Sequence, residues 1–229
     1  MVATGAMSDP YNPLEQELFL TRHALELLDA YGFGAAIATK SDLITRDIDV
    51  LHGIQEHSPV LCKMTVTVCG DDLCAKLEPN APPSSRRFQA LQALSEAGIF
   101  CGILLMPVLP FLEDTEENVL GIVQKAGESG AKFIYPAFGV TLRQNQRDYF
   151  FQQLDKRFPG QGLKERYLRR FGNSYQCTSP NARVLWNLFS AACRKHGILY
   201  RMQDIIQGYR QGREVRQMSL FDLGGQNGR

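Results

Sequence analysis

Short apolar runs alternate with helical patterns over the first 140 residues. Four segments are continuously apolar, as strands buried on both faces usually are: Phe33–Ala38, Val60–Cys69, Ile99–Met106 and Ala131–Tyr135. Val2-Ala3 has the character of the tail of one more strand. Segments with apolar residues at helical spacing lie between them and predict helices over Leu14–Tyr31, Leu43–His57, Arg86–Ala97 and Glu116–Ser129. This alternation predicts a parallel sheet with crossover helices.

The predicted fold class is α/β, and a partial (β/α) TIM-like barrel is favoured over an open sheet for residues 1–140. Beyond residue 140 the pattern changes to one rich in arginine and aromatic residues. Residues 141–217 are predicted to form a helical C-terminal extension, with helices at Arg143–Lys156, Lys164–Phe171 and Ala182–His196. Residues 218–229 are polar and predict a flexible tail.

Composition narrows the class of protein only slightly. The chain has 229 residues and a net charge of +1, so total charge gives no argument for a nucleic-acid partner. None of its six cysteines has the two-residue spacing of a zinc knuckle, and free thiols in apolar runs indicate a reducing, cytoplasmic compartment. No signal peptide is evident, and the longest apolar run, Ile99–Leu112, is too short to span a membrane.

Candidate binding residues lie at the predicted carboxyl ends of the strands, where α/β folds bind ligands. Ser8 and Asp9 offer acceptors for an ammonium or ribose group, although an Asx-type turn explains them too. Lys40 could pair with an anionic ligand or form a Schiff base, and a solvated lysine is the alternative. The hydroxyl of Thr67 is a further ligand candidate, although ordinary β-propensity also explains a threonine there.

Two other features leave alternatives open. Glu78 and Arg86-Arg87 flank a proline-rich turn, where they either pair with each other or hold a ligand carboxylate. The arginine and aromatic residues of the C-terminal extension predict either a nucleic-acid surface or a lid over the barrel mouth.

Several segments together resemble radical S-adenosylmethionine (SAM) proteins of the spore photoproduct lyase-like group, often called DNA repair photolyase-like. The stretch SDPYNPLEQELFLTRHALELLDAYGFGAAIATKSDLITRDIDVL carries the first part of the resemblance. It continues through VTVCGDDLCAKLEPNAPPSSRRFQALQALSEAGI and MPVLPFLEDTEENVLGIVQKAGESGAKFI. It ends with YFFQQLDKRFPG and KERYLRRFGNSYQC, so it follows nearly the whole chain in order.

The resemblance implies a partial (β/α)₆ barrel that binds SAM at a 4Fe–4S cluster and cleaves it reductively to a 5′-deoxyadenosyl radical. By position, Ser8 and Asp9 resemble the motif near the SAM amino group, and Lys40 resembles the lysine that reaches the SAM carboxylate. Thr67 resembles the hydroxyl residue near the ribose, and Pro107–Pro110 resembles the loop near the adenine.

One motif of the family is absent from the sequence. The cluster cysteines of the family follow the pattern Cys-x-x-x-Cys-x-x-Cys, and no part of these 229 residues carries it. The resemblance therefore predicts a barrel that lacks its first strand and does not cleave SAM as this chain alone. A preceding segment or a partner chain would supply the cluster, and the exposed edge strand would favour self-association.

The alternatives are a Schiff-base barrel enzyme that uses Lys40, or a non-catalytic remnant or binding module. The catalytic residues, the substrate and the site of hydrogen abstraction cannot be assigned from these residues.

Overall fold

The computed structural model describes residues 1–5 and 8–211, except for the side chain of Gln144. Its centre is a five-stranded sheet in which all neighbouring strands are parallel and the spatial order follows the chain. The strands are β1 (Val2–Thr4), β2 (Ala35–Thr39), β3 (Val60–Thr65), β4 (Cys101–Leu105) and β5 (Phe133–Pro136). The mixed α/β architecture predicted from the sequence is confirmed, and sequential parallel strands are compatible with part of a barrel.

Each pair of neighbouring strands is joined by helical segments. The helices of the sheet region are α1 (Glu15–Leu18), α2 (Leu20–Ala30), α3 (Ile48–His57), α4 (Asp71–Leu77), α5 (Ser84–Glu96) and α6 (Glu116–Glu128), and a 3₁₀ helix covers Asp42–Asp47. Thr115 accepts a hydrogen bond from the backbone N–H of Asn118 and so caps α6.

The two faces of the sheet have different surroundings. Alternate residues of β2 to β5 pack under the helices in the main core, as Ile37, Cys62 and Ile103 do. The opposite face carries Ala36 and Leu61 in a smaller cluster. We call these the helix-covered face and the opposite face.

Three local predictions need correction. The helix predicted over Leu14–Tyr31 is two helices, because Phe19 takes a left-handed conformation with φ of 54°. The Arg46 guanidinium lies 4.4 Å from the centre of the Phe19 ring. The loop after Cys69 contains helix α4, which begins at Asp71 with two carboxylates in its first turn. The strand predicted over Val60–Cys69 ends at Thr65.

The C-terminal region adds a two-stranded antiparallel sheet and four helices within the described residues. These are β6 (Gly139–Thr141), α7 (Gln144–Arg157), α8 (Leu163–Phe171), β7 (Gln176–Thr178), α9 (Ala182–Lys195) and α10 (Met202–Arg210). Helix α9 packs against α6, whereas Ile205 and Tyr209 of α10 pack on the opposite face of the sheet. The β6–β7 sheet and α10 were not predicted.

An aromatic cluster joins α7 and α8 to the rest of the molecule. Tyr167 is buried among Phe111, Phe150 and Phe171, and its hydroxyl donates to the carbonyl of Pro110. The domain boundary at residue 140 stays a prediction, and the predicted tail at 218–229 lies outside the described residues.

Within the described ranges no helix has the length and hydropathy needed to cross a bilayer.

Candidate ligand site at the strand ends

The sequence-predicted site residues follow three successive strands. Asp9 lies in the loop after β1, Lys40 directly after β2, and Thr67 two residues after β3. The carboxyl ends of parallel strands share one edge of a sheet, so these residues belong to the same edge. Ser8 precedes Asp9, but its side chain is exposed.

Asp9 fixes the turn that follows β2. Its Oδ1 atom accepts hydrogen bonds from the Thr39 hydroxyl, at 2.6 Å, and from the backbone N–H of Tyr11. Its Oδ2 atom accepts from the backbone N–H of Lys40 at 2.7 Å. One carboxylate therefore ties the loops after β1 and β2 together and sets the direction in which Lys40 leaves the sheet.

A cavity of about 730 Å³ opens between these two loops and the turn after α4. Its volume is within the range that small-molecule sites usually have. Asp9 and Lys40 line it, together with Glu78 and two further cations, Arg86 and Arg157. Ser8 and Thr67 are outside its lining.

Lys40 and Glu78 bring opposite charges into the cavity. The Nζ atom of Lys40 lies 3.4 Å from Oε1 of Glu78, and both side chains are partly exposed. Oε2 of Glu78 also receives an ion pair from Arg87 at 2.6 Å. The Arg87 side chain is only 1% exposed, and its guanidinium donates to the carbonyls of Pro82 and Thr65. The Glu78 side of the cavity is therefore supported by a buried cation, Arg87, which also bonds to two backbone carbonyls.

Thr67 belongs to a second, closed centre beside the cavity. Its hydroxyl donates to Oε1 of Glu113 at 2.7 Å, and the backbone N–H of Leu109 donates to Oε2 at 2.6 Å. Glu113 is 2% exposed. Burial raises the pKa of Glu113 to about 8, while the two hydrogen bonds lower it and the charge of Glu78 adds to the rise.

Asn118 connects the two loops that hold this closed centre. Its side-chain amide donates to the backbone carbonyls of Thr67 and Glu113, and its Oδ1 atom accepts from the backbone N–H of Cys69. The loops after β3 and β4 are thus held against each other by side-chain bonds.

Of the four candidate residues, the structure brings Asp9 and Lys40 together at the cavity, and places Ser8 and Thr67 away from its lining. Of the two alternatives left open for Glu78 and Arg86-Arg87, the ion pair is the one that forms, and Arg87 makes it. Glu113 was not predicted. The acidic Glu113-Asp114 pair follows the apolar β4 run and could have been noticed, since strand-end loops carry ligand sites.

The described residues contain no group of three His, Cys, Asp or Glu side chains that could hold a metal ion. All six cysteines are free thiols, and only Cys69 is not buried. Burial raises the pKa of Cys62 and Cys193, which disfavours the thiolates that a cluster needs.

Comparison with curated proteins finds relatives that are themselves uncharacterized. The chain is 30% identical over 174 residues to the uncharacterized protein Rv2578c of Mycobacterium tuberculosis, which covers 75% of this chain and 50% of that protein. It is 33% identical over 112 residues to the uncharacterized protein MJ0683 of Methanocaldococcus jannaschii, covering 49% of this chain and 42% of that one. The chain spans about half the length of the curated relatives it matches. No protein-family model matches it.

Solved structures of spore photoproduct lyase share the fold. A tyrosine-to-phenylalanine variant of that lyase superposes with a TM-score of 0.60 over 87% of this chain and 60% of the lyase chain, at 14% identity. The lyase complexed with a dinucleoside spore photoproduct also gives 0.60, at 14% identity, and covers 86% of this chain and 58% of that one. At this identity the likeness establishes a related α/β fold.

Proposed function

We propose that this chain forms the SAM-binding part of an enzyme similar to the radical SAM proteins. The observation that carries the proposal is the cavity at the ends of β1 and β2, which presents an ammonium and a carboxylate 3.4 Å apart. The amino-acid end of SAM is a zwitterion, so a site that binds it needs one group of each sign.

Three of the cavity residues have separate parts in this proposal. Lys40 would bind the ligand carboxylate, and Glu78 would accept from the ligand ammonium. Asp9 already accepts three hydrogen bonds from the protein, so its part is to position the Lys40 turn. Bound SAM would supply a sulfonium group, whose carbon–sulfur bonds can break by transfer of a carbon group or by reductive cleavage.

The described residues do not fit an iron–sulfur cluster, because three thiolates at one place are lacking. No step through a cluster is therefore derived from this chain. The cluster implied by the resemblance would have to be held by polypeptide beyond the described residues, either a further segment or a partner chain.

Helix α2 presents a surface suited to such a segment. Its core side carries Leu25 and Leu28, and its Arg22 and Asp29 point to α3, where they contact Asp49 and His57. The side turned away from α3 is also apolar and exposed. Its residues follow the i, i+4, i+7, i+11 spacing of one helix face: Leu20, Ala24, Leu27 and Tyr31.

This bare stripe adjoins the edge of the sheet. Leu20, Leu27 and Tyr31 are 63%, 59% and 75% exposed. Val2 of the edge strand β1, on the same side of the sheet, is 44% exposed. Among the described strands, β1 pairs only with β2. A strand added to β1 with its own helix would cover both surfaces, so this is where we place the additional segment.

Self-association of the chain tests the bare stripe. We expect concentration-dependent oligomers in light scattering, because no described residue covers the stripe or the strand edge, and we expect Leu27→Asp to reduce them. Leu168→Asp is the matched control, since Leu168 is also exposed but lies on α8. A monodisperse wild-type monomer, or equal effects of both substitutions, would contradict this placement.

A nucleic-acid substrate is favoured by an uneven charge distribution that the net charge of +1 conceals. Residues 143–211 contain 13 Lys and Arg against 4 Asp and Glu, whereas residues 1–142 contain 9 against 18. None of the 13 cations forms an ion pair within the described ranges, and none is buried. A segment with this excess of exposed cations suits a polyanion.

Binding of SAM to the isolated chain tests the central proposal. We expect calorimetry to detect SAM binding to the wild type and at least about a tenfold loss of affinity in Lys40→Met, the equivalent of one charged contact of about 1.4 kcal/mol. Lys132→Met, at an exposed lysine outside the cavity, should bind normally.

The proposal fails if the wild type does not bind SAM or if Lys40→Met binds it equally well. Borohydride trapping of a keto compound on Lys40 would instead favour the Schiff-base alternative.

A further inference from the structure

Three polar side chains on the opposite face of the sheet have no hydrogen-bond partner among the described residues. They are Lys63 and Thr65 of β3 and Tyr135 of β5. The side chains of Lys63 and Thr65 alternate with the core residues Cys62 and Met64, which places them on the opposite face. All three are partly buried rather than fully solvated.

The register of the strands brings these groups to one patch. Lys63 is paired with Ala38 on β2 and with Gly102 on β4, and Thr65 is paired with Leu104, which is in turn paired with Tyr135. Neighbouring strands are about 4.8 Å apart and alternate residues of a strand about 6.6 Å apart. The long Lys63 and Tyr135 side chains can therefore approach each other above the opposite face of the sheet.

Small residues and one aromatic ring shape the surroundings of Lys63. Ala38 leaves space on the β2 side. On the β4 side the Phe133 ring covers Gly102, where a Cβ atom would lie 2.5 Å from the ring. Helix α10 closes the patch below, with Ile205 packed near Ala36 and Leu61.

Lys63 is the cation of this patch, and no carboxylate of the described residues pairs with it. Burial lowers the pKa of Lys63 because the ammonium has lost part of its hydration. An anion on the patch would restore the lost stabilisation of the charge. Lys40 differs in this respect, since Glu78 already accompanies it.

We propose that the Lys63–Thr65–Tyr135 patch is a second binding site, which takes an oxyanion, a phosphate or a carboxylate, of the molecule on which the enzyme acts. The ammonium supplies the charge, and the two hydroxyls supply directed hydrogen bonds. The patch lies along β3, below the strand-end cavity, so it can be filled independently of that cavity. The identification of the bound molecule as the enzyme's substrate rests on the proposed function, whereas the site itself does not require SAM in the cavity.

Titration of Lys63 in the full chain tests the site directly. In protein labelled with ¹³C at the lysine ε carbons, the Lys63 signal is assigned by its loss in Lys63→Met. We expect millimolar inorganic phosphate or acetate, against chloride at equal ionic strength, to raise the pKa of Lys63 by about half a unit or more. The exposed Lys132 should not respond.

The arms of the experiment separate the two oxyanions and the three residues. A response to phosphate alone identifies a phosphate-bearing molecule, and a response to acetate alone a carboxylate. Thr65→Val and Tyr135→Phe should each reduce the response while the amide spectrum stays dispersed. The proposal is overturned if neither anion moves the Lys63 signal, if Lys132 moves equally, or if both hydroxyl variants respond like the wild type.

A failure at this site is distinguishable from a failure at the cavity. Lys63→Met should keep the SAM affinity of the wild type, and Lys40→Met should keep the oxyanion response of Lys63.

Discussion

Two carboxylates lie at the same edge of the sheet, Glu78 and Glu113, and they have opposite surroundings. Glu78 is 22% exposed in its side chain, and it holds two cations, Lys40 on the cavity side and Arg87 on the buried side. Glu113 is 2% exposed and contacts a hydroxyl and a backbone N–H. The first centre is open and charged, whereas the second is closed and lacks a directly bonded cation.

This difference distinguishes a centre that can exchange partners with a ligand from a centre that holds loops in place. A charge beside a cavity can exchange a protein partner for a ligand at modest cost, because water and neighbouring charges compensate during the exchange. A buried acid with satisfied hydrogen bonds cannot release its partners without leaving them unpaired. This difference supports the proposal that Lys40 and Glu78 contact the ligand, whereas Glu113 and Asn118 hold the loops after β3 and β4.

Removal of Arg87 should have the largest effect of the substitutions that test the difference between these two centres. We expect Arg87→Met to lower the free energy of unfolding by about 3 kcal/mol or more, because it leaves a carboxylate and two backbone carbonyls without their buried donor. Chemical denaturation measures the effect.

Arg86→Met is the control for that substitution. Arg86 is the preceding residue, its side chain is 61% exposed, and its ion pair with Asp42 is at the surface. We expect a change within about 1 kcal/mol. Equal losses in the two variants would mean that the open centre is not supported from its buried side.

The order of strands and helices was readable from the sequence, and the reason is physical. Continuous apolar runs such as Ile99–Met106 must be buried on both faces, and the helical stripes between them must cover them. The break at Phe19 was not readable, because no glycine or proline marks it and the contact of its ring with Arg46 joins residues distant in the chain. Helix α4 was also missed, since a helix of seven residues depends on packing for its stability.

The candidate site was only partly predictable for a related reason. Position after a strand was sufficient to single out Asp9 and Lys40, since the parallel fold fixes where strand ends meet. It could not show that Asp9 is occupied by the turn after β2 or that Thr67 donates to Glu113. Those roles depend on the loops after β1 and β4, whose paths the apolar pattern does not determine.

The pH dependence of the free energy of unfolding tests whether the centre around Glu113 is closed. Burial raises the pKa of Glu113 to about 8 from an ordinary value of 4.5. Between these values the folded chain holds a proton that the unfolded chain has lost, so the contribution of Glu113 is fully present below about pH 4.5 and is lost as the pH rises through about 8. We expect Glu113→Gln, which cannot ionise, to gain stability relative to the wild type over this window.

Urea unfolding at about pH 5 and about pH 8 measures the gain, which should reach a few kcal/mol at about 1.4 kcal/mol per unit of pKa difference. The glutamine can still accept from the N–H of Leu109 and donate to the hydroxyl of Thr67, so the closed centre should persist. Glu117→Gln, at an exposed residue of α6, should follow the wild-type pH dependence. A Glu113→Gln profile parallel to the wild type would mean that the pKa of Glu113 is not raised and that the second centre is not closed.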